Sequence, residues 1–171
     1  MKLSRLLAVP TVALAMLLGQ AVADPARAAV LGAPYCKYDD YRNSCLRVNG
    51  TATLNHWKFT AGQDSYMPRW YADEILARGG SFQAKLRFEN GTNDIEIGEL
   101  FLDPGWPASG PEGLGAEFSG VFGSGVLNRR NGEEEFYVRI KYFDFHINDW
   151  VINDTGRVKH DFRPWIIVED R

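Results

Sequence analysis

Asp94, Glu96 and Glu99 are the residues whose types and spacing come nearest to a reaction centre. Carboxylates two residues apart on a strand point to the same side. A pair of carboxyl groups about 5–10 Å apart supplies the acid and the base or nucleophile of glycosidic bond cleavage. The same residues have a plainer reading as cross-strand ion pairs, Glu96 with Arg87 and Glu89 or Asp94 with Lys85.

The string Asp94-Ile95-Glu96-Ile97-Gly98-Glu99 resembles the EIDxxE signature of the laminarinase-like glycoside hydrolases, with the first two acids exchanged in type. The resemblance covers six residues of a chain shorter than that family. It implies a jelly roll and hydrolysis of polysaccharide. Nearby, Glu89, Asn90, Asn93 and Asp94 offer oxygen atoms to calcium, but without the acidic spacing of a calcium loop. His56, His146 and His160 show no paired ligand spacing, so no metal site and no cofactor are expected. Gly123-Ser124-Gly125 is not a nucleophile elbow, and Gly113-Leu114-Gly115 precedes a strand rather than a helix.

Aromatic residues number 22 of 171. Aromatic faces flanked by Asn, Asp and Glu suit sugar rings, whose apolar faces stack while their hydroxyls need acceptors. Trp106 stands between Gly105 and Pro107 in the Gly- and Pro-rich stretch from Asp103 to Gly115, which reads as a long binding loop without regular structure. Trp106, Trp150, Asp149 and Asn148 form the expected ligand surface of a non-catalytic domain that binds a polysaccharide or a cell-surface protein; the alternatives are a small polysaccharide hydrolase or lyase acting through Glu96 and Glu99, and a structural or inhibitory protein working through a protein interface.

The elements that must position these residues are strands. Phe82, Ala84, Leu86 and Phe88 alternate with Gln83, Lys85, Arg87 and Glu89, the period of a half-buried strand. The turn chemistry of Asn90-Gly91 then starts a second strand, with a bulge expected at Gly98-Glu99. Leu46 to Thr60 predicts one or two strands, with a possible turn at Asn49-Gly50. Asp64 to Arg78 predicts the one helix, capped by Asp64 or Ser65 and stopped by Gly79-Gly80. Its apolar face is Met67, Trp70, Tyr71, Ile75 and Leu76. Further strands are expected over Glu117 to Leu127, Glu135 to Ile147 with a slip near Tyr142, Trp150 to Ile152, and Arg157 to Val168. The expected class is all-β, a mainly antiparallel sandwich or barrel with one short helix.

Residues 1–28 read as an export signal and pro-like stretch: basic Lys2 and Arg5, an apolar run from Leu6 to Leu18, and small-residue cleavage sites ending at Ala23 or Ala28. That run is short for a membrane span. Residues 29–171 read as one secreted, extracellular domain. Past Ala28 there remain 16 Lys plus Arg against 21 Asp plus Glu, a net charge of −5. This acidic balance argues against nucleic acid as a partner. In an oxidising compartment Cys36 and Cys45 are expected to form a disulfide. Three glycosylation sequons begin at Asn49, Asn90 and Asn153, each in an expected turn.

Overall fold

The computed structural model describes residues 28–30, 33–51, 55–91, 93–129 and 132–163. In chain order the elements are β1 (Ala28–Val30), β2 (Tyr35–Asp39), β3 (Arg42–Thr51), β4 (His56–Tyr66), α1 (Arg69–Ala77), β5 (Phe82–Phe88) and β6 (Ile95–Leu102). There follow β7 (Ala108–Gly110), β8 (Gly113–Gly123), α2 (Ser124–Leu127), β9 (Glu134–Asp144), β10 (Asp149–Asp154) and β11 (Val158–His160). All strands pair antiparallel in one sheet that runs β1-β3-β4-β8-β6-β5-β9-β10 and curls into a half-barrel. β2 also pairs with β3, β7 with β8, and β11 with β9.

Alternation decides which side of each strand is inside. Along β4, Trp57, Phe59 and Ala61 are buried, and they pair across β8 with Phe122, Gly120 and Phe118. Leu86 and Phe88 of β5 pair with Val138 and Phe136 of β9 on the same inner face. These residues, with Leu46, Val48 and Phe162, form one apolar core. Trp57 donates its indole N–H to Ser124 Oγ at 3.1 Å, which ties the short α2 to the core. The helix α1 packs against β7 and β8. It buries Ala72 and Ile75 against Leu114 and Tyr142 as a second apolar cluster.

Among the described residues the two ends of the curled sheet meet without a strand ladder. Arg42 donates to the Ile152 carbonyl at 3.2 Å, and Ser44 Oγ to the Asp154 carbonyl at 2.9 Å. Asn153 donates to Gln63 Oε1 at 3.0 Å inside the curl. Gly156 completes this seam, because a side chain there would lie 2.6 Å from the Tyr35 backbone.

Several local expectations are corrected. The helix begins at Arg69, not near Asp64, because β4 holds its ladder with β3 and β8 through Ser65. Pro68 occupies the cap position without a side-chain cap bond. Trp70 faces solvent, 63 % exposed, instead of the sheet. Asn49-Gly50 is no turn but lies within β3, where Gly50 is required because a Cβ would meet the Trp57 ring at 2.4 Å. The stretch from Asp103 to Gly115 is not free of regular structure: Ala108–Gly110 forms β7 against β8. The β5–β6 bulge falls one or two residues before Gly98-Glu99, since Leu86 pairs with Gly98 and Arg87 already with Glu96. β9 runs through Tyr142 and Phe143 with unbroken register to β10. The last expected strand is described only as β11, and residues 164–171 lie outside the described residues.

The disulfide between Cys36 and Cys45 is present, joining directly opposed residues of β2 and β3. Among the described residues no helix is long and apolar enough to cross a membrane.

Candidate functional site

The site that stands out is built around Trp106. At the end of β6 the chain turns tightly: the Asp103 N–H donates to the Glu117 carbonyl at 2.9 Å, and the Trp106 N–H to the Asp103 carbonyl at 3.1 Å. Gly105 takes a positive φ of 89° in this turn. Ser119 Oγ, on the outer face of β8, donates to the Asp103 carboxylate and fixes the turn to the sheet. The indole of Trp106 is thereby laid over Gly115. A Cβ at position 115 would stand 2.7 Å from the ring, so glycine is what allows the contact. Gly115 pairs with Asp64 across β4 and β8, and this brings the Asp64 carboxylate beside the indole.

Trp106 remains 39 % exposed and forms the wall between two clefts. The larger, of about 320 Å³, is lined by Asp64, Ser109, Glu112 and Leu114 among others. The smaller, of about 130 Å³, is lined by Asn43, Cys45, Gly62 and Glu117. β7 forms one bank of the larger cleft, and Ser109 Oγ donates to Asp73 of α1. The disulfide half Cys45 borders the smaller one. Loss of water around the Asp64 carboxyl raises its pKa above the usual carboxylate value, and the nearby Glu112 charge adds to that rise. An aromatic face with acceptors on either side can stack on an apolar ring and bond its polar substituents.

The acidic set is brought together on the outer face of β5 and β6, but around a cation. Lys85 Nζ donates to both oxygens of Glu96, at 2.9 and 3.0 Å, and lies 3.9 Å from Glu99. Arg87 donates to the Asp94 carbonyl at 3.1 Å. The Asp94 carboxylate accepts the Tyr137 hydroxyl, and burial with that bond pushes the Tyr137 phenol up to about 12. Glu89 pairs with Arg157 at 2.8 Å. Among the described residues no group of three or more His, Cys, Asp or Glu side chains is arranged to hold a metal ion.

Trp150, Asp149 and Asn148 sit apart from Trp106 and line neither of its clefts. Trp150 packs edge-on to Phe143 at 5.7 Å, with Lys141 Nζ 5.6 Å from its ring. Asp149 Oδ1 accepts the Trp150 backbone N–H at 2.7 Å, and Asn148 takes a positive φ of 53°.

Two groupings escaped the sequence reading. Around Trp106, Asp64 comes from the distant strand β4, while Glu112 lies in the turn before β8 and Gly115 and Glu117 in β8 itself. The second grouping joins α1 to the turn after β9. There Tyr71 stacks on His146 at 4.0 Å and donates to Asp144 at 2.9 Å, while His146 Nε2 lies 3.1 Å from Glu74. Burial, and then the Asp144 bond, pushes the Tyr71 phenol up to about 12.

No protein-family model, curated protein or solved structure matches this chain, so the site is read from its own chemistry.

Proposed function

We propose that this chain is a secreted, non-catalytic β domain that binds carbohydrate on the indole face of Trp106. The observation that carries the reading is the exposed ring itself, supported on Gly115 and bordered by a cleft on each side. Asn43, Asp64, Glu112, Glu117 and Ser109 supply hydrogen-bonding groups around it. The disulfide and the export-type N-terminus support an extracellular setting. Glu96 and Glu99 share the Lys85 ammonium on a strand face, which favours binding over hydrolysis.

The test is depletion of the mature protein by a panel of insoluble polysaccharides, with the supernatant assayed for new reducing ends. Depletion without release is expected for at least one polymer. Trp106→Ala should weaken that binding by about 30-fold or more, the loss associated with an aromatic anchor of about 2 kcal/mol. Full binding by Trp106→Ala, or release of sugar ends that Glu96→Gln abolishes, would overturn the proposal.

A further inference from the structure

We infer that the Trp106 clefts select a sugar bearing a free, protonated amine, such as a glucosamine polymer, over its neutral counterparts; this rests on the carbohydrate reading of the site. Three carboxylates line the two clefts, Asp64 and Glu112 in the larger and Asp64 and Glu117 in the smaller. Among the described residues neither lining contains a lysine, an arginine or a histidine. Several acids elsewhere sit against a cation: Glu96 on Lys85, Asp154 on Arg139, Glu89 on Arg157, and Glu74 on Arg78. Among the described residues Asp64, Glu112 and Glu117 have no such cation, so the negative charge that borders Trp106 is left uncompensated.

The aromatic wall adds to the preference. An indole face attracts a cation within about 6 Å of its centre, and attraction grows when water is displaced. A neutral sugar gains the stacking alone. An amino sugar gains the stacking, the ring quadrupole and the carboxylates together. Asp64 is central, because it borders both clefts and lies against the same Gly115 that supports the ring. Its raised pKa has the same origin, since a carboxyl losing water beside another carboxylate holds its charge less readily until a cation arrives.

The experiment is calorimetric titration of the full mature protein with a glucosamine oligomer, the matching N-acetylglucosamine oligomer and a neutral glucan oligomer, at mildly acidic pH and two salt concentrations. The glucosamine oligomer should bind about tenfold more tightly than the others, and added salt should remove most of that advantage. Asp64→Asn and Glu112→Gln should erase the advantage by weakening the glucosamine oligomer more than the two uncharged ones, with melting curves confirming that both variants are folded. Equal affinity for the three oligomers, or an advantage that survives in both variants together, would overturn the amine preference while leaving the carbohydrate reading intact. Binding of none of them would overturn both.

Discussion

Asn153 and Gln63 lie 90 residues apart in the chain and share a buried hydrogen bond of 3.0 Å across the inside of the half-barrel. Asn153 belongs to the edge strand β10 and Gln63 to the central strand β4. Removing the donor by Asn153→Ala leaves a buried carbonyl oxygen without its partner, which costs about 1–3 kcal/mol. For a domain of this size the melting temperature should fall by about 3–9 °C. Gln83→Ala, at an exposed strand position, is the control and should change stability by less than about 0.5 kcal/mol. The same burial predicts that the sequon at Asn153 carries no glycan in folded protein, which mass spectrometry of glycopeptides from a glycosylating host would check.

The disulfide closes a hairpin already held by a β ladder, so its contribution is mainly to the unfolded chain. With a sequence separation of 9, the loop-entropy model gives about 2–3 kcal/mol. Replacing both cysteines by serine should lower the free energy of unfolding by that amount and leave the far-ultraviolet spectrum unchanged. A loss of strand signal in the native buffer would mean that the bridge holds more of the fold than this hairpin.

Gly115 separates the platform from the fold. Ala at this position meets only the outer edge of the Trp106 ring at 2.7 Å and an Asp64 oxygen at 3.4 Å, both at side-chain ends that can move. Gly115→Ala is therefore expected to cost under about 1 kcal/mol of stability yet to tilt the indole and weaken polysaccharide binding by about tenfold. Parallel melting and depletion measurements distinguish the two effects.

Alkaline titration reads two phenols, Tyr137 buried and Tyr71 half-buried. Tyr71 and Tyr137 are raised to about 12, by burial first and then by bonds to Asp144 and Asp94. Their unfolded values are near 10. Between these pH values the folded state holds protons that the unfolded state has released, so stability is fully present below pH 10 and falls as pH rises toward 12. Phenolate absorbance should show a late component, at about pH 12, from these two tyrosines. Tyr71→Phe and Tyr137→Phe should each flatten the alkaline loss of stability.

Acid titration has the opposite sign at His160. Burial lowers its pKa below the usual histidine value, since the ring packs edge-on to Trp57 and Phe162. The unfolded chain then binds the proton first, and stability declines as pH falls below about 6.5. His160→Phe should remove that part of the acid sensitivity in a series of melting curves.

The local periods made the β5–β6 hairpin and the all-β class legible. Strand alternation and the Asn90-Gly91 turn are properties of neighbouring residues, and so is the short spacing of Cys36 and Cys45. The helix start was misjudged because Pro68 and the run before it fit a helix locally, while β4 is held by pairing with β8, which no nearby residue announces. Trp106 was legible as an exposed ring on a turn. Its setting was not, because Gly115 meets Asp64 only through a ladder between strands separated by α1, β5, β6 and β7. The Gly-rich character of β8 was the available signal: a strand short of side chains leaves room for something to lie on it.

The seam between the sheet's ends has a consequence for how copies of this molecule meet. A closed ladder has no edges, but among the described residues β10 pairs only with β9 and β2 only with β3. The carbonyls of Ile152 and Asp154 are occupied by the side chains of Arg42 and Ser44 instead of a neighbouring backbone. Each edge is thus shielded by the other end of its own sheet. Parting them breaks no strand pair and uncovers two pairing edges at once, so loosening of this seam opens a route from the folded chain to edge-to-edge aggregation.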